Sequence, residues 1–180
     1  MRHKIEGRMF HPRRSRRGFS LIELLIVIAI ILIIIMFAVP KFRSAMMHAR
    51  ETSALVSIRT IHSAQAQYES QFNRYATTLA ELGPPATGSP GPAAADLIPT
   101  ALAHGLKDQY KFTLTGVPGG YQVHADPEVY GSSGGISFYS DQSMEIRANY
   151  GPGPATASSP EYGEAAPASG AAPAAGAPSR

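Results

Sequence analysis

The chain has 180 residues, no cysteine, and 16 basic against 13 acidic residues, which gives a net charge of +3. The missing thiols exclude disulfides, thiolate metal sites and cysteine nucleophiles, so any exported domain must be held together by packing alone. Residues 1–18 hold seven of the basic residues and one acidic residue, and the remainder is net negative. The high pI therefore reflects this basic segment and does not indicate a nucleic-acid-binding face.

Residues 19–39 form an almost unbroken apolar run in which Ser20 and Glu23 are the polar members. At about 1.5 Å per residue the run gives roughly 32 Å of helix, close to the ~30 Å hydrocarbon core of a bilayer. It therefore predicts a membrane-spanning helix, and the basic flank before it predicts a cytoplasmic N-terminus and an exported C-terminal part. The length of the run and the lack of an A-x-A-like site after it disfavour a secretory signal peptide.

Glu23 is unusual because a carboxylate at the centre of a transmembrane helix costs about 2.5–3.5 kcal/mol on insertion scales. Near the end of the helix, the Glu23 carboxylate could instead reach the membrane–water interface. Glu23 would then be tolerated in a single-pass membrane anchor and would need no further role. A cut after Gly18 would give Phe19 a new ammonium group about 6 Å along the helix axis from Glu23. A neighbouring subunit shifted along its axis could supply that ammonium, and Glu23 would then fix the register of assembly.

The stretch RRGFSLIELLIVIAIILIIIMFAVPKF, residues 16–42, resembles the N-terminus of type IV prepilins and of the related type II secretion pseudopilins. The resemblance implies that a prepilin peptidase removes the leader, residues 1–18, after Gly18 and N-methylates Phe19, and that Glu23 has the charge-pairing role. Methylation of an amine keeps its charge, so the pairing would survive the modification. The resemblance also places a helix kink at Pro40, where proline removes one backbone donor and clashes with the preceding turn.

Beyond the membrane-spanning run, residues 40–75 predict an amphipathic helix. Residues at spacings of three and four, all but one of them apolar or aromatic, mark one packing stripe: Leu55, Ile58, Ile61, Gln65, Tyr68 and Phe72. His48 and His62 are fourteen residues apart with no carboxylate at ligand spacing, so they are interpreted as exposed or packing residues. Residues 76–109 are Pro- and Gly-rich and predict a connecting loop with short helical turns, one capped by Thr77 or Thr78.

Residues 110–150 predict a four-stranded antiparallel sheet of two hairpins, because residues 110–115, 121–125, 136–140 and 144–148 are separated by turn signals. Met144 stands where some type IV pilins similar to this stretch commonly have glycine. A residue with a side chain disfavours a turn with positive φ there. Residues 151–180 are low in complexity and predict a disordered, solvent-facing tail.

Catalytic and metal-binding patterns are weak in this chain. Asp126, Glu128 and Asp141 invite a calcium hypothesis, but no D-x-D-x-D-G pattern is present and they are interpreted as solvated loop acids. Ser137, His124 and Asp141 could be combined into a catalytic triad, but no G-x-S-x-G motif supports it. We expect no enzymatic activity, no cofactor and no metal.

The sequence as a whole predicts an α+β protein with a type IV pilin-like fold, in which a long N-terminal helix packs on a four-stranded antiparallel sheet. The expected function is that of a structural subunit of a type IV pilus-like filament. Its expected partners are other copies of itself, the prepilin peptidase, the pilus assembly platform with its ATPase, and inner-membrane lipid. The alternatives are a type II secretion pseudopilin and a membrane-anchored periplasmic binding module that never polymerises. The chain would be stored in the inner membrane and become extracellular on assembly.

Overall fold

A computed structural model of the chain describes residues 19–163, so the leader, Gly18 and residues 164–180 lie outside the described residues. The chain divides into two compact units at the boundary between Lys41 and Phe42. One helix, α1 (Leu21–Phe72), begins in the first unit and continues through Pro40 into the second. It ends where Asn73 adopts a positive φ of 53° and its N–H reaches the carbonyl of Glu69.

The second unit is an α+β domain in which the later part of α1 packs on an antiparallel sheet, as predicted. The helix stripe is buried as its spacing requires, apart from the partly buried Phe72. The sheet contributes residues that alternate along its strands, and together they form the core: Phe112, Leu114, Val123, Ala125, Phe138 and Ala148. Burial of a large apolar side chain stabilises by roughly 1.5–3 kcal/mol, so this interface is the main stabilising feature of the domain.

The sheet has five strands in the order β1 to β5, each antiparallel to the next: β1 (Leu106–Lys107), β2 (Tyr110–Val117), β3 (Gly120–Pro127), β4 (Ser137–Asp141) and β5 (Ile146–Asn149). The predicted number of four is wrong, because β1 lies in the stretch predicted as a connecting loop. Asp108 and Gln109 join β1 to β2 with φ of 51° and 63°. Such turns usually carry Asn-Gly or Asp-Gly, so the sequence lacks the usual hairpin signal.

The turn between β4 and β5 contradicts the expectation for Met144. This residue adopts a φ of 64°, and its N–H donates to the carbonyl of Asp141 over 3.0 Å. Two side chains hold the turn: the Asp141 carboxylate accepts from the Ser143 N–H at 2.9 Å, and the Ser140 hydroxyl donates to the Glu145 carbonyl at 2.7 Å. The turn is therefore stabilised by neighbouring hydrogen bonds despite a conformation that favours glycine.

Two short helices lie in the connecting segment, α2 (Leu79–Leu82) and α3 (Thr100–Ala103). Thr78 precedes α2 without a side-chain cap, whereas the Thr77 hydroxyl donates to the Glu81 carboxylate at 2.6 Å. Glu81 also pairs with Arg74 at 2.7 Å and lies 2.9 Å from the Tyr68 hydroxyl. Burial acts to raise the pKa of Glu81, but the hydrogen bonds from Thr77, Arg74 and Tyr68 outweigh it, so the pKa is lowered. This cluster attaches α2 to α1.

Residues 151–163 differ from the disordered tail predicted for them. The N–H of Ala148 donates to the carbonyl of Pro160 at 2.9 Å, and the N–H of Tyr162 donates to the carbonyl of Ile146 at 2.8 Å. The Tyr162 ring lies 5.5 Å from that of Phe138. The backbone pairing and the Tyr162 ring thus cover the free edge of β5. The composition of this segment, which is dominated by Ala, Pro and Gly, gave no sign of such pairing.

Candidate functional site

The first part of α1 is the candidate functional site because its apolar side chains are uncovered. Every residue from 19 to 46 is exposed, and Phe19 keeps 82% of its surface. An apolar surface of this extent requires lipid or other protein around it. By length and composition, α1 can cross a membrane near the N-terminus. The site is therefore a surface for burial in a membrane or against other helices.

Glu23 lies at the start of this surface, in the first turn of α1. The carbonyl of Ser20 accepts from the N–H groups of Glu23 at 3.1 Å and Leu24 at 3.2 Å, so the helix begins directly after Ser20. The partial positive charge of a helix N-terminus favours a carboxylate here. None of the ion pairs among residues 19–163 involves Glu23.

The energies show why one carboxylate is compatible with burial of this segment. Each Ile, Leu, Val or Phe side chain gains roughly 1.5–3 kcal/mol on full burial, and the segment carries many of them. A charged side chain costs about 2.5–3.5 kcal/mol even at the centre of a membrane helix. The apolar gain therefore exceeds the cost of Glu23 several times over, and the carboxylate limits where the helix can lie rather than whether it is buried.

The two histidines singled out in the sequence differ in exposure and in hydrogen-bond partners. The His48 side chain is 76% exposed, and its Nδ1 donates to the carboxylate of Glu51 at 3.0 Å. His62 is buried in the second unit, with Nδ1 2.7 Å from the Tyr121 hydroxyl and Nε2 2.8 Å from the Ser140 hydroxyl. Among residues 19–163, no group of three or more His, Asp or Glu side chains could hold a metal ion.

The acids and the triad considered from the sequence do not form a site. Within residues 19–163, no hydrogen bond joins any two of Ser137, His124 and Asp141. Asp141 instead anchors the β4–β5 turn, and hydrogen bonds from Ser143 and Tyr139 outweigh burial and lower its pKa. One carboxylate oxygen of Asp126 is buried without a hydrogen-bond partner.

The packing stripe of α1 also carries buried polar groups, of which the sequence analysis placed Gln65 on the stripe and missed Glu51. Glu51 is 6% exposed, and its carboxylate accepts from the N–H of Gly135 at 2.8 Å as well as from His48. The Gln65 amide is fully buried and forms two hydrogen bonds with the backbone of Ala76. The signal was present in the spacing, since 51, 55, 58, 62 and 65 are separated by four, three, four and three residues. These polar side chains connect α1 to the loops and strands of the second unit.

Comparisons with known proteins bear on the exposed part of α1. The family model of the prokaryotic N-terminal methylation motif matches residues 13–39, which contain Phe19 and Glu23. The type IV major pilin protein PilA of Myxococcus xanthus (strain DK1622) is 36% identical over 74 residues, which are 41% of this chain and 33% of that protein. The chain thus matches about a third of the length of this curated relative and is type IV pilin-like over the matched part. No solved structure matches the chain.

Proposed function

We propose that the chain is a structural subunit of a type IV pilus-like filament. The observation that carries the proposal is the uncovered apolar part of α1, which has a single carboxylate, Glu23, four residues after Phe19 and lies within the matched methylation motif. The similarity to a major pilin and the α+β domain that follows the helix support the same function. The role is one of assembly and requires no catalytic group.

The chain is processed before it assembles. It enters the inner membrane with its N-terminus in the cytoplasm, in keeping with the basic residues that precede the apolar run. A prepilin peptidase cleaves after Gly18 and N-methylates Phe19, as the motif at residues 13–39 suggests. The C-terminal domain lies in the periplasm until an assembly platform and its ATPase draw the subunit into the filament.

In the filament, the apolar helices bundle and replace the lipid around one another. The Phe19 amine of one subunit neutralises Glu23 of its neighbour, which sets the stagger between the two helices. Pro40 allows α1 to bend between the bundled segment and the domain, because its ring removes one helix hydrogen bond. The second unit forms the exterior.

The test combines the mature N-terminus with filament yield. Mass spectrometry of the wild-type subunit should show a chain that begins at Phe19 and carries one extra methyl group. Glu23→Gln should lower the yield of sheared filaments at least tenfold, because removing one partner of a buried pair costs about 3–5 kcal/mol. Glu69→Gln is the matched control, since Glu69 is an exposed glutamate on the same helix.

The N-terminus of the Glu23→Gln subunit separates a defect in processing from one in assembly. A mature, methylated variant that fails to form filaments supports the pairing. Normal filament yield from that variant would refute the role of Glu23, and a wild-type chain that keeps residues 1–18 would refute the filament subunit itself.

A further inference from the structure

We propose that the groove between α1 and the β4–β5 turn receives Phe42 and Arg43 of a second copy of the chain and so forms a contact between subunits. The inference rests on the proposed filament and adds to it a contact outside the apolar helix bundle. The groove has a volume of about 560 Å³, within the roughly 300–1,000 Å³ of ordinary binding sites. The groove, Phe42 and Arg43 all belong to the second unit.

The groove has exposed apolar side chains and two carboxylates. Met144 in the turn and Tyr162 after β5 line it, and they keep 56% and 42% of their surfaces exposed. Glu145 and Glu161 follow and precede these two residues in the chain, and both line the same groove. Burial of the exposed apolar surface by a partner is favourable. The groove therefore suits an apolar side chain that has a positive charge beside it.

Met144 occupies the groove at a conformational cost. Its φ of 64° favours glycine, yet more than half of its surface is exposed, so the side chain contributes little packing to its own domain. Residues held in such sparsely populated conformations concentrate at functional sites. A partner that packs on Met144 supplies the contact that the domain itself does not.

The charge of the chain is divided in a way that favours a contact between copies. Residues 60–163 contain nine acidic and four basic residues. Residues 41–59, the basic stretch of α1, contain one acidic residue, the buried Glu51, and four basic residues: Lys41, Arg43, Arg50 and Arg59. The basic stretch of one copy therefore complements the acidic remainder of another, which is the kind of complementarity that selects partners.

Phe42 is the side chain of the basic stretch that matches the apolar side of the groove. It keeps 67% of its surface exposed. An aromatic ring makes favourable contacts with a methionine sulfur and with the edge of another ring. Phe42 of the second copy thus packs between Met144 and Tyr162, and all three side chains lose exposed apolar surface.

Arg43 is exposed and supplies the positive charge beside the ring. Of the two carboxylates, Glu145 already pairs with Arg147 at 2.9 Å, so Arg43 pairs with Glu161. Arg59 also lines the groove and reduces the attraction for a second cation. Exposed ion pairs contribute little, so the charges orient the segment and burial of the aromatic ring supplies most of the affinity.

The segment that enters the groove must come from another copy. Phe42 precedes Arg59, the first helix residue that lines the groove, by seventeen residues of continuous helix, or about 26 Å. Between parallel copies the contact requires a displacement of roughly 30 Å along the helix axis, several times the ~6 Å between Phe19 and Glu23. It therefore joins a subunit to a more distant neighbour than the one that pairs with Glu23. Because two different surfaces meet, the contact can repeat along a filament.

Photo-cross-linking in sheared filaments identifies the partner of Phe42. Phe42→p-benzoylphenylalanine keeps an aromatic side chain and reacts on irradiation with the groups next to it. We expect a dimer in which residue 42 of one copy is joined to residues 144–162 of another, as read by mass spectrometry. Val56→p-benzoylphenylalanine is the matched control, because Val56 is 51% exposed on the same helix and does not share that partner. Adducts of residue 42 with lipid or with other parts of the domain would overturn the contact.

Charge reversal tests the ion pair. Arg43→Glu and Glu161→Arg should each lower the yield of sheared filaments about tenfold, because like charges at an interface repel. The two changes together should restore most of the yield. Arg43→Glu with Glu128→Arg is the matched control, since Glu128 is exposed and lies outside the groove, and this pair should not restore it. Unchanged yields in the single variants, or no recovery in the double variant, would contradict the pairing.

Met144→Gly separates the contact from folding. Glycine suits the positive φ of the turn, so the domain should be at least as stable as wild type while the filament yield falls. Normal yield from this variant would overturn the contact. Wild-type chains that form no filaments would refute the proposed function and this contact with it. Wild-type filaments in which residue 42 cross-links elsewhere would overturn the contact alone.

Discussion

Gln65 provides the sharpest test of the buried polar stripe on α1. Its amide nitrogen donates to the carbonyl of Ala76 and its amide oxygen accepts from the N–H of Ala76, both over 2.9 Å. Both residues are 0% exposed. This side chain therefore supplies the hydrogen bonds that hold the segment between α1 and α2 against the helix.

Gln65→Leu keeps most of the side-chain volume but leaves the N–H and the carbonyl of Ala76 buried without partners. Each unpaired buried group costs about 1–3 kcal/mol, so we expect the variant to lose about 2–6 kcal/mol of unfolding free energy. For a domain of this size, each kcal/mol lowers the melting temperature by roughly 2–4 °C. The melting temperature should accordingly fall by about 4–24 °C.

The assay is thermal unfolding of the full chain in detergent, followed by near-ultraviolet circular dichroism of its eight tyrosines. Gln67→Leu is the matched control, because Gln67 lies two residues away on the same helix and is exposed. Its stability should change by no more than about 0.5 kcal/mol. Equal melting temperatures for the two variants would refute the reasoning that the Ala76 hydrogen bonds stabilise the domain.

Two further predictions concern the turn and the α2 cluster. Met144→Gly should raise the unfolding free energy by about 0.5–1 kcal/mol, because glycine adopts a φ of 64° without a side-chain clash. Thermal unfolding measures this change, and a melting temperature below that of wild type would contradict it. The lowered pKa of Glu81 should stabilise the domain above about pH 4.5 and lose this effect as the pH falls through the folded-state value. The difference in unfolding free energy between wild type and Glu81→Gln should therefore be largest at pH 7 and shrink as the pH falls below about 4.5, and a difference that did not change with pH would count against the cluster.

Periodic features of the fold were accessible from the sequence. Alternation of large apolar and polar residues identified β2, where Phe112 and Leu114 face the core and Lys111 and Thr113 face away. The long apolar run identified the exposed part of α1 because few soluble structures can contain it. By contrast, β1 has two residues, which is too short for any period, and its turn at Asp108 and Gln109 has no glycine.

The polar contacts of the second unit could not be predicted because their partners are distant in sequence. Tyr121 and Ser140, which hold His62, lie 59 and 78 residues away from it. Spacing shows that a residue lies on the packing face of α1, but it does not show which donor or acceptor meets it there. The segment 151–163 was missed for a related reason, since its pairing with β5 depends on the backbone and not on its composition.

The strand order of the sheet bears on how quickly the domain folds. Each strand pairs with the next one along the chain, so the sheet can grow by local hairpins with little loop-closure entropy. Docking of α1 on the finished sheet is the step that joins distant residues, and it should limit the folding rate. Because the chain has no cysteine, folding of the domain involves no disulfide formation.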